Sequence, residues 1–188
     1  MIIMINGSFG SGKTSTSQKL QPLIPNSMIY DPEEIGYMLR KIITEEIYYE
    51  EERTDDFQDI ALWRILVVQT AQELMNRYKK HLIVPMTIYK SENFNYILNG
   101  FRSIDRDTFH FCLLASEETI KKRIEKRGDK FDFWYQEQTN AALIAFKDTN
   151  FQEHIDTDNK ETEEVISIIL RKIPKINLEV IQQMTEFT

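Results

Sequence analysis

A single cysteine, Cys112, is all the thiol chemistry that this 188-residue sequence holds. No intrachain disulfide can form, which excludes a disulfide-stapled secreted scaffold and fits a reducing compartment. Cys112 lies inside an apolar run, so it reads as a small core residue rather than a reactive thiol. Long hydrophobic runs are missing too: no stretch reaches the ~18 apolar residues of a membrane-spanning helix. The opening Met1-Ile2-Ile3-Met4-Ile5 has neither a basic segment nor a cleavage site, so it reads as a first strand rather than a secretion signal. A cytoplasmic location is the expectation. The three histidines, His81, His110 and His154, stand singly and lack metal-ligand spacing. Excess positive charge is absent as well: 23 Lys and Arg face 30 Asp and Glu, a net charge of −7. That speaks against a nucleic-acid-coating protein. It leaves room for a local anion site built from backbone N–H groups and a few cations.

What is present describes an ordinary globular chain, with 41% hydrophobic and 28% charged residues. One domain over 1–175 is expected, followed by a tail over 176–188 that adds a helical turn or stays mobile. Apolar runs alternate with helix-period stretches, the pattern of βα units around a parallel sheet. The expected strands are 1–6, 28–30, 82–88, 109–115 and a weak fifth at 154–156. The expected helices are 13–21, 32–48, 57–79, 91–104, 117–127, 133–147 and 161–172. Asp31 reads as the N-cap of the second helix with Pro32 at its first position. Pro85 is awkward inside a central strand and predicts a bulge or a locally unpaired position. The acidic stretch from Glu45 to Asp56 reads as a solvated loop or frayed helix end.

The motif that carries chemistry is Gly7-Ser8-Phe9-Gly10-Ser11-Gly12-Lys13-Thr14, which matches G-x-x-x-x-G-K-[ST] at every constrained position. It directly follows a strand and opens a helix, the context the pattern requires. Glycines let the backbone wrap closely around phosphates, and successive N–H groups form an anion nest. The helix start adds its positive dipole end. Lys13 is expected on the β- and γ-phosphates of ATP, with the Thr14 hydroxyl on Mg²⁺.

Further candidates are more dispersed. Arg123 and Arg127 lie four apart on one helix face and could clamp ATP, as a planar, always-charged fork suits both base stacking and phosphate contact. Lys121, Lys122 and Lys126 beside them keep a plain solvated basic face in play. Asp31 ends the second strand, at the sheet edge where ligands bind in open α/β folds, and could accept a proton from a substrate hydroxyl. Capping the following helix is its alternative role. Glu33 and Glu34 suit a helix N-terminus. Arg64 and Thr87 are candidate contacts for an acceptor molecule. The 82–88 run ends without a carboxylate, which weighs against a large motor ATPase and towards a small kinase.

Five blocks of the chain resemble the tunicamycin-resistance ATP-binding family within the P-loop nucleoside/nucleotide kinase-type superfamily. They are M-I-I-M-I-N-G-S-F-G-S-G-K-T at the start, Y-D-P-E-E-I-G at 30–36, D-D-F-Q-D-I-A-L-W-R at 55–64, L-I-V-P-M-T-I at 82–88 and H-I-D-T-D-N at 154–159. The resemblance implies a three-layer α/β fold with a parallel five-stranded sheet in the order 2-3-1-4-5, helices on both faces and a short lid near 127–137. It also implies ATP binding and action on tunicamycin, a nucleoside antibiotic, by phosphorylation or by sequestration. The fold resembles chloramphenicol phosphotransferase too, in which an Asp after the second strand serves as base; Asp31 occupies the comparable place. One departure stands out. The family's namesake is thought to hold to the membrane through a basic amphipathic tail, whereas Ile176–Thr188 carries Glu179 and Glu186 and lacks a cationic face. No strong membrane anchor is expected.

The leading expectation is therefore an ATP-dependent phosphotransferase acting on a hydroxyl of a small nucleoside-like acceptor, working as a monomer or homodimer. In it Lys13, Asp31 and Arg127 are catalytic. A non-catalytic drug-binding protein tuned by ATP and a generic NTPase are the alternatives.

Overall fold

The computed structural model describes residues 1–174, so the expectation for the 176–188 tail lies outside the described residues. Five strands, β1 (Ile2–Gly7), β2 (Ser27–Ile29), β3 (His81–Met86), β4 (Thr108–Leu114) and β5 (His154–Asp156), form one sheet. All pairings are parallel and the order is β2-β3-β1-β4-β5. This is the P-loop NTPase arrangement implied by the sequence resemblance. β1 is central and all six of its residues are buried, which is why it reads as an unbroken apolar run rather than an alternating one.

The two faces of β1 feed two cores, as the two-residue period of a strand requires. Ile2 and Met4 join Leu82, Val84, Met86 and Cys112 against α2 (Glu33–Ile42), α3 (Ala61–Tyr78), α4 (Ser91–Ile104) and α6 (Phe133–Ala145). Trp63, Val67, Phe94, Ile97 and Phe101 are the main helical contributions. Ile3 and Ile5 face the other way, towards Leu20 of α1 (Lys13–Leu20) and Val165, Ile166, Ile169 and Leu170 of α7 (Thr162–Arg171). A smaller cluster forms around Ile120 and Ile124 of α5 (Glu117–Lys126). Ser116 caps α5, its hydroxyl accepting the Thr119 N–H at 3.3 Å, as expected. Cys112 is fully buried, and burial pushes its thiol up to about 12, so it packs and does not react.

Pro85 needs no bulge. Its register partner is Ile5 and the pairing runs on to Asn6 and Met86. His81 donates its N–H to Asn26 and Ile83 accepts from Tyr30, so this side of β3 faces β2. β2 stops at Ile29. The N–H that proline lacks would have pointed where no strand remains, which is the locally unpaired position predicted.

Three element ends differ from expectation. α2 stops at Ile42 rather than near Tyr48, and Glu45–Ile47 and Glu50–Glu52 form short 3-10 turns instead. Crowded glutamates repel one another and favour such solvated turns over a continuing helix. α3 begins at Ala61, because Phe57–Asp59 is a 3-10 turn whose Gln58 amide Asp56 captures through its side chain. β3 ends at Met86, but its neighbour continues the pairing by other means. The buried Asn6 side chain accepts from Ile88 N–H at 2.9 Å and donates to Ile88 C=O at 2.9 Å.

Candidate active site

The segments that follow β1, β2 and β5, with Pro85 of β3, border one cleft of about 700 Å³. Its floor is the Gly7–Thr14 loop. The loop leaves β1 at Gly7, where φ is +150° and an added Cβ would stand 2.5 Å from Ser11 Oγ and 2.6 Å from Leu113 O. No other residue fits there without moving backbone. Asn6 Oδ1 accepts the Gly7 N–H at 2.8 Å, clipping the loop to the strand end. α1 then starts at Lys13 with Gly12 as its N-cap, and no side chain caps it. Its first-turn N–H groups and dipole are left facing the cleft, an arrangement that suits an anion.

Lys13 reaches back over the loop, its Nζ donating to Ser8 O at 2.9 Å and lying 5.7 Å from the Phe9 ring centroid. Burial pushes its ammonium down to about 8, with Glu33 opposing the shift and Arg127 adding to it. Ser11 Oγ is buried without a partner, and the Thr14 hydroxyl has no protein partner among the described residues. Loop, lysine, open hydroxyl and uncapped helix start together fit a phosphate chain with a hard cation. No three His, Cys, Asp or Glu side chains gather as a metal cage among the described residues. A cation here would need phosphate oxygens as well.

Asp31 and Glu33 form one wall. Asp31 Oδ1 accepts the Glu33 N–H at 2.9 Å, so its carboxylate caps the start of α2 one residue earlier than the helix boundary implies. Glu33 is half-buried on the same wall. Desolvation raises both carboxyls above their ordinary range, opposed by the Glu33 amide for Asp31 and by Lys13 for Glu33.

The opposite wall carries Arg123 of α5 and Arg127, which caps its end, with Lys160, Glu161 and Val165 beyond β5. The two arginines differ. Arg123 donates Nη1–H groups to Gly10 O at 3.3 Å, Ser11 O at 3.4 Å and Thr157 Oγ1 at 3.0 Å, and an Nη2–H to Thr157 O at 2.7 Å. Its fork is spent bracing the loop against the end of β5. Arg127 is exposed, and no hydrogen-bond partner holds its guanidinium among the described residues. Past it, residues 128–132 link α5 to α6 at the cleft rim. Trp134 and Tyr135 of α6 pack on Phe9, tilted and edge-on, with centroids 5.4 and 5.6 Å away, tying the expected lid region to the loop.

Two expected contacts lie elsewhere. Arg64 pairs with Glu92 at 2.7 Å, donates to Asn93 Oδ1 at 3.2 Å and sits 5.3 Å from the Tyr96 ring, which ties α3 to α4 outside the cleft lining. Thr87 is buried outside the cleft lining, and its Oγ1 has no partner among the described residues. Three participants were missed from sequence: Asn6, Glu33 and Thr157. The Asp31-x-Glu33 spacing was the available signal for Glu33, since a residue two past a strand-end carboxylate stays at the same helix mouth.

The AAA domain family profile matches residues 3–140. The chain belongs to this family. Its structure is similar to that of the tunicamycin resistance protein of Deinococcus radiodurans, with a TM-score of 0.72 and 26% identity over 92% of this chain and 94% of that one. The resemblance drawn from the sequence blocks is borne out. A sugar kinase from Janibacter sp. (TM-score 0.65, 19% identity, 95% and 96% covered) and a gluconokinase from Sinorhizobium meliloti (0.60, 14%, 96% and 95%) share the fold. No curated protein matches the chain. The P-loop kinase-like fold implies nucleotide binding. No helix among the described residues is long and apolar enough to cross a membrane.

Proposed function

We propose that the protein is an ATP-dependent phosphotransferase that acts on a hydroxyl of a small nucleoside-like molecule, with tunicamycin as the candidate acceptor. One observation carries the reading: a single cleft is lined at once by the Gly7–Thr14 loop, by the Asp31 and Glu33 carboxylates and by the Arg123–Arg127 helix. Phosphate-binding groups on their own would suit any NTPase. Carboxylates facing them supply the group that an alcohol acceptor needs. The similarity to a tunicamycin resistance protein points to the acceptor class.

In this reading the loop amides and Lys13 hold the triphosphate. Thr14 and phosphate oxygens hold Mg²⁺, which when bound neutralises charge on the transferring group. Arg123 keeps the loop in shape, and Arg127 is free to meet the phosphates. A carboxylate at the start of α2 takes the acceptor's proton. Closing the 127–137 region over the cleft excludes water that would otherwise consume ATP.

Incubation of the protein with ATP, Mg²⁺ and tunicamycin tests this by mass spectrometry of the drug. A gain of one phosphate is expected. Unmodified drug with saturable ATP-dependent binding would replace the kinase with a sequestering protein. Phosphate release with neither would leave a plain NTPase. Lys13→Ala should abolish tight ATP binding by calorimetry, and unchanged affinity would overturn the site assignment.

A further inference from the structure

Two cavities open along one side of α2. The first is the phosphate cleft, which Glu33 borders at the helix start. The second, of about 490 Å³, lies where the end of α2 meets the 45–55 stretch. Arg40 and Ile43 border it from the helix side. A helix turns about 100° per residue, so Glu33, Tyr37 and Arg40 fall within about 60° of arc. One stripe of α2 therefore leads from the first cavity to the second, about 10 Å along the axis. Tyr37 stands midway on it, exposed, with its ring edge-on to Phe57 at 5.8 Å. Phe57 packs on Trp63 at 5.3 Å, and the Trp63 Nε1–H donates to Pro32 O at 3.0 Å. The stretch between the cavities is thus an aromatic platform fixed to the start of the helix.

The second cavity joins an apolar floor to polar groups with unused capacity. Ile43, Tyr48 and Ile60 belong to the main core beneath it. Arg40 commits one guanidinium donor, on Thr54 O at 3.2 Å. Arg53 pairs with the exposed Glu50 at 3.6 Å. The Glu45 and Asp55 carboxylates and the Tyr48 hydroxyl have no hydrogen-bond partner among the described residues. Glu52 is already satisfied, accepting the Ala61 N–H at 3.1 Å and the Tyr49 N–H at 3.3 Å. Free donors and free acceptors therefore stand together, two guanidiniums against two uncommitted carboxylates. That mixture suits neither an anion nor a cation. It suits a neutral ring with neighbouring hydroxyls, each of which donates and accepts, lying with its apolar face against the floor.

The geometry points to this cavity as the distal half of the acceptor site, seating a glycosyl ring joined to the unit that presents its hydroxyl to Asp31 and Glu33. Tyr37 carries the linking part. The inference rests on the phosphotransferase reading above and narrows its acceptor to a nucleoside extended by a sugar.

Calorimetry with a non-hydrolysable ATP analogue and Mg²⁺ present tests it on wild type, Arg40→Gln, Tyr37→Ala and Tyr48→Phe. The ligands are uridine, a single nucleoside, and tunicamycin, in which sugar rings extend the nucleoside. Wild type should bind tunicamycin at least about hundredfold more tightly than uridine, as two or three added hydrogen bonds provide. That preference should shrink about tenfold or more in Arg40→Gln and Tyr37→Ala. In Tyr48→Phe, which removes one hydroxyl and no packing, it should shrink about threefold to tenfold. A wild-type preference below about tenfold, or the same preference in all four proteins, would overturn the inference. So would equal losses for both ligands, the mark of a loosened fold. Phosphoryl transfer from ATP to tunicamycin is followed on the same samples. Selective binding without transfer would keep the distal site and remove the phosphotransferase reading, and transfer with an unchanged preference would do the reverse. A wild type that binds neither ligand would overturn both.

Discussion

Asn6→Ala should be among the most damaging single changes in this protein, although Asn6 belongs to no catalytic motif. The side chain is fully buried at the end of β1 and makes three hydrogen bonds to main chain, with Gly7 N–H at 2.8 Å and with Ile88 N–H and C=O at 2.9 Å each. Alanine leaves all three backbone groups buried and unpaired. Each costs about 1–3 kcal/mol, so the loss should be about 3–9 kcal/mol. Typical domains have only about 5–15 kcal/mol of stability in total, so a large share disappears. Urea unfolding monitored by circular dichroism reads the change as a lower midpoint at constant slope. Asn6→Asp sharpens the test. It keeps both accepting contacts but places a buried carboxylate oxygen against Ile88 C=O. Burial raises such a carboxyl's pKa, so the destabilisation is full above the folded-state pKa and fades as pH falls, when the protonated acid donates again. A loss below about 1 kcal/mol for Asn6→Ala, or a pH-independent loss for Asn6→Asp, would refute the reasoning.

His110 donates Nδ1–H to Gln152 O at 2.8 Å and packs 4.7 Å from Phe94, and burial pushes its imidazole from 6.5 down to about 4. The unfolded chain therefore binds the proton first, and about 3 kcal/mol of stability should drain away as pH falls from 6.5 to 4. His110→Gln should flatten that acid limb in a pH series of melts, and an unchanged slope would exclude this source. Gly36 lies inside α2 with its would-be Cβ 2.4 Å from the Phe57 ring. Alanine gains about 1 kcal/mol of helix propensity but meets an overpacking cost of about 1–3 kcal/mol. A net loss in thermal stability is expected, and a clear gain would contradict the contact. Arg123→Ala should weaken ATP binding at least about tenfold by releasing the loop from Thr157, and Arg123→Lys should restore little because an ammonium lacks the fork. Combined with Thr157→Val, the losses in calorimetric affinity should fall short of additive, as expected for two ends of one brace.

The loop and its flanks were legible because they are local. A buried strand, glycine-rich turn and helix start occupy residues 2–14, and the residue types that mark them are adjacent in the chain. The βα alternation was legible for a similar reason, since a strand covered on both faces must be apolar throughout. Helix ends were less so: the Ile42 and Ala61 boundaries follow from side chains competing for amides and from charge crowding, and both override helical period. The candidate site was half legible. Lys13, Thr14 and Asp31 sit where strand order sends them. Glu33 reads as a helix-terminal acid until the fold is seen to line one cleft with it and Lys13. Arg64 and Arg123 illustrate the same limit from the other side. Both were expected to meet ligands, and tertiary packing supplied Glu92 and Asn93 for one, and Gly10, Ser11 and Thr157 for the other. By itself the sequence determined where a phosphate-binding turn forms and which segments become strands and helices, because those depend on local backbone and solvent preferences. Only the tertiary structure decided which polar side chains face the cleft and which are consumed as braces, because a hydrogen-bond partner is chosen by proximity in space, which the spacing of residues along the chain does not record.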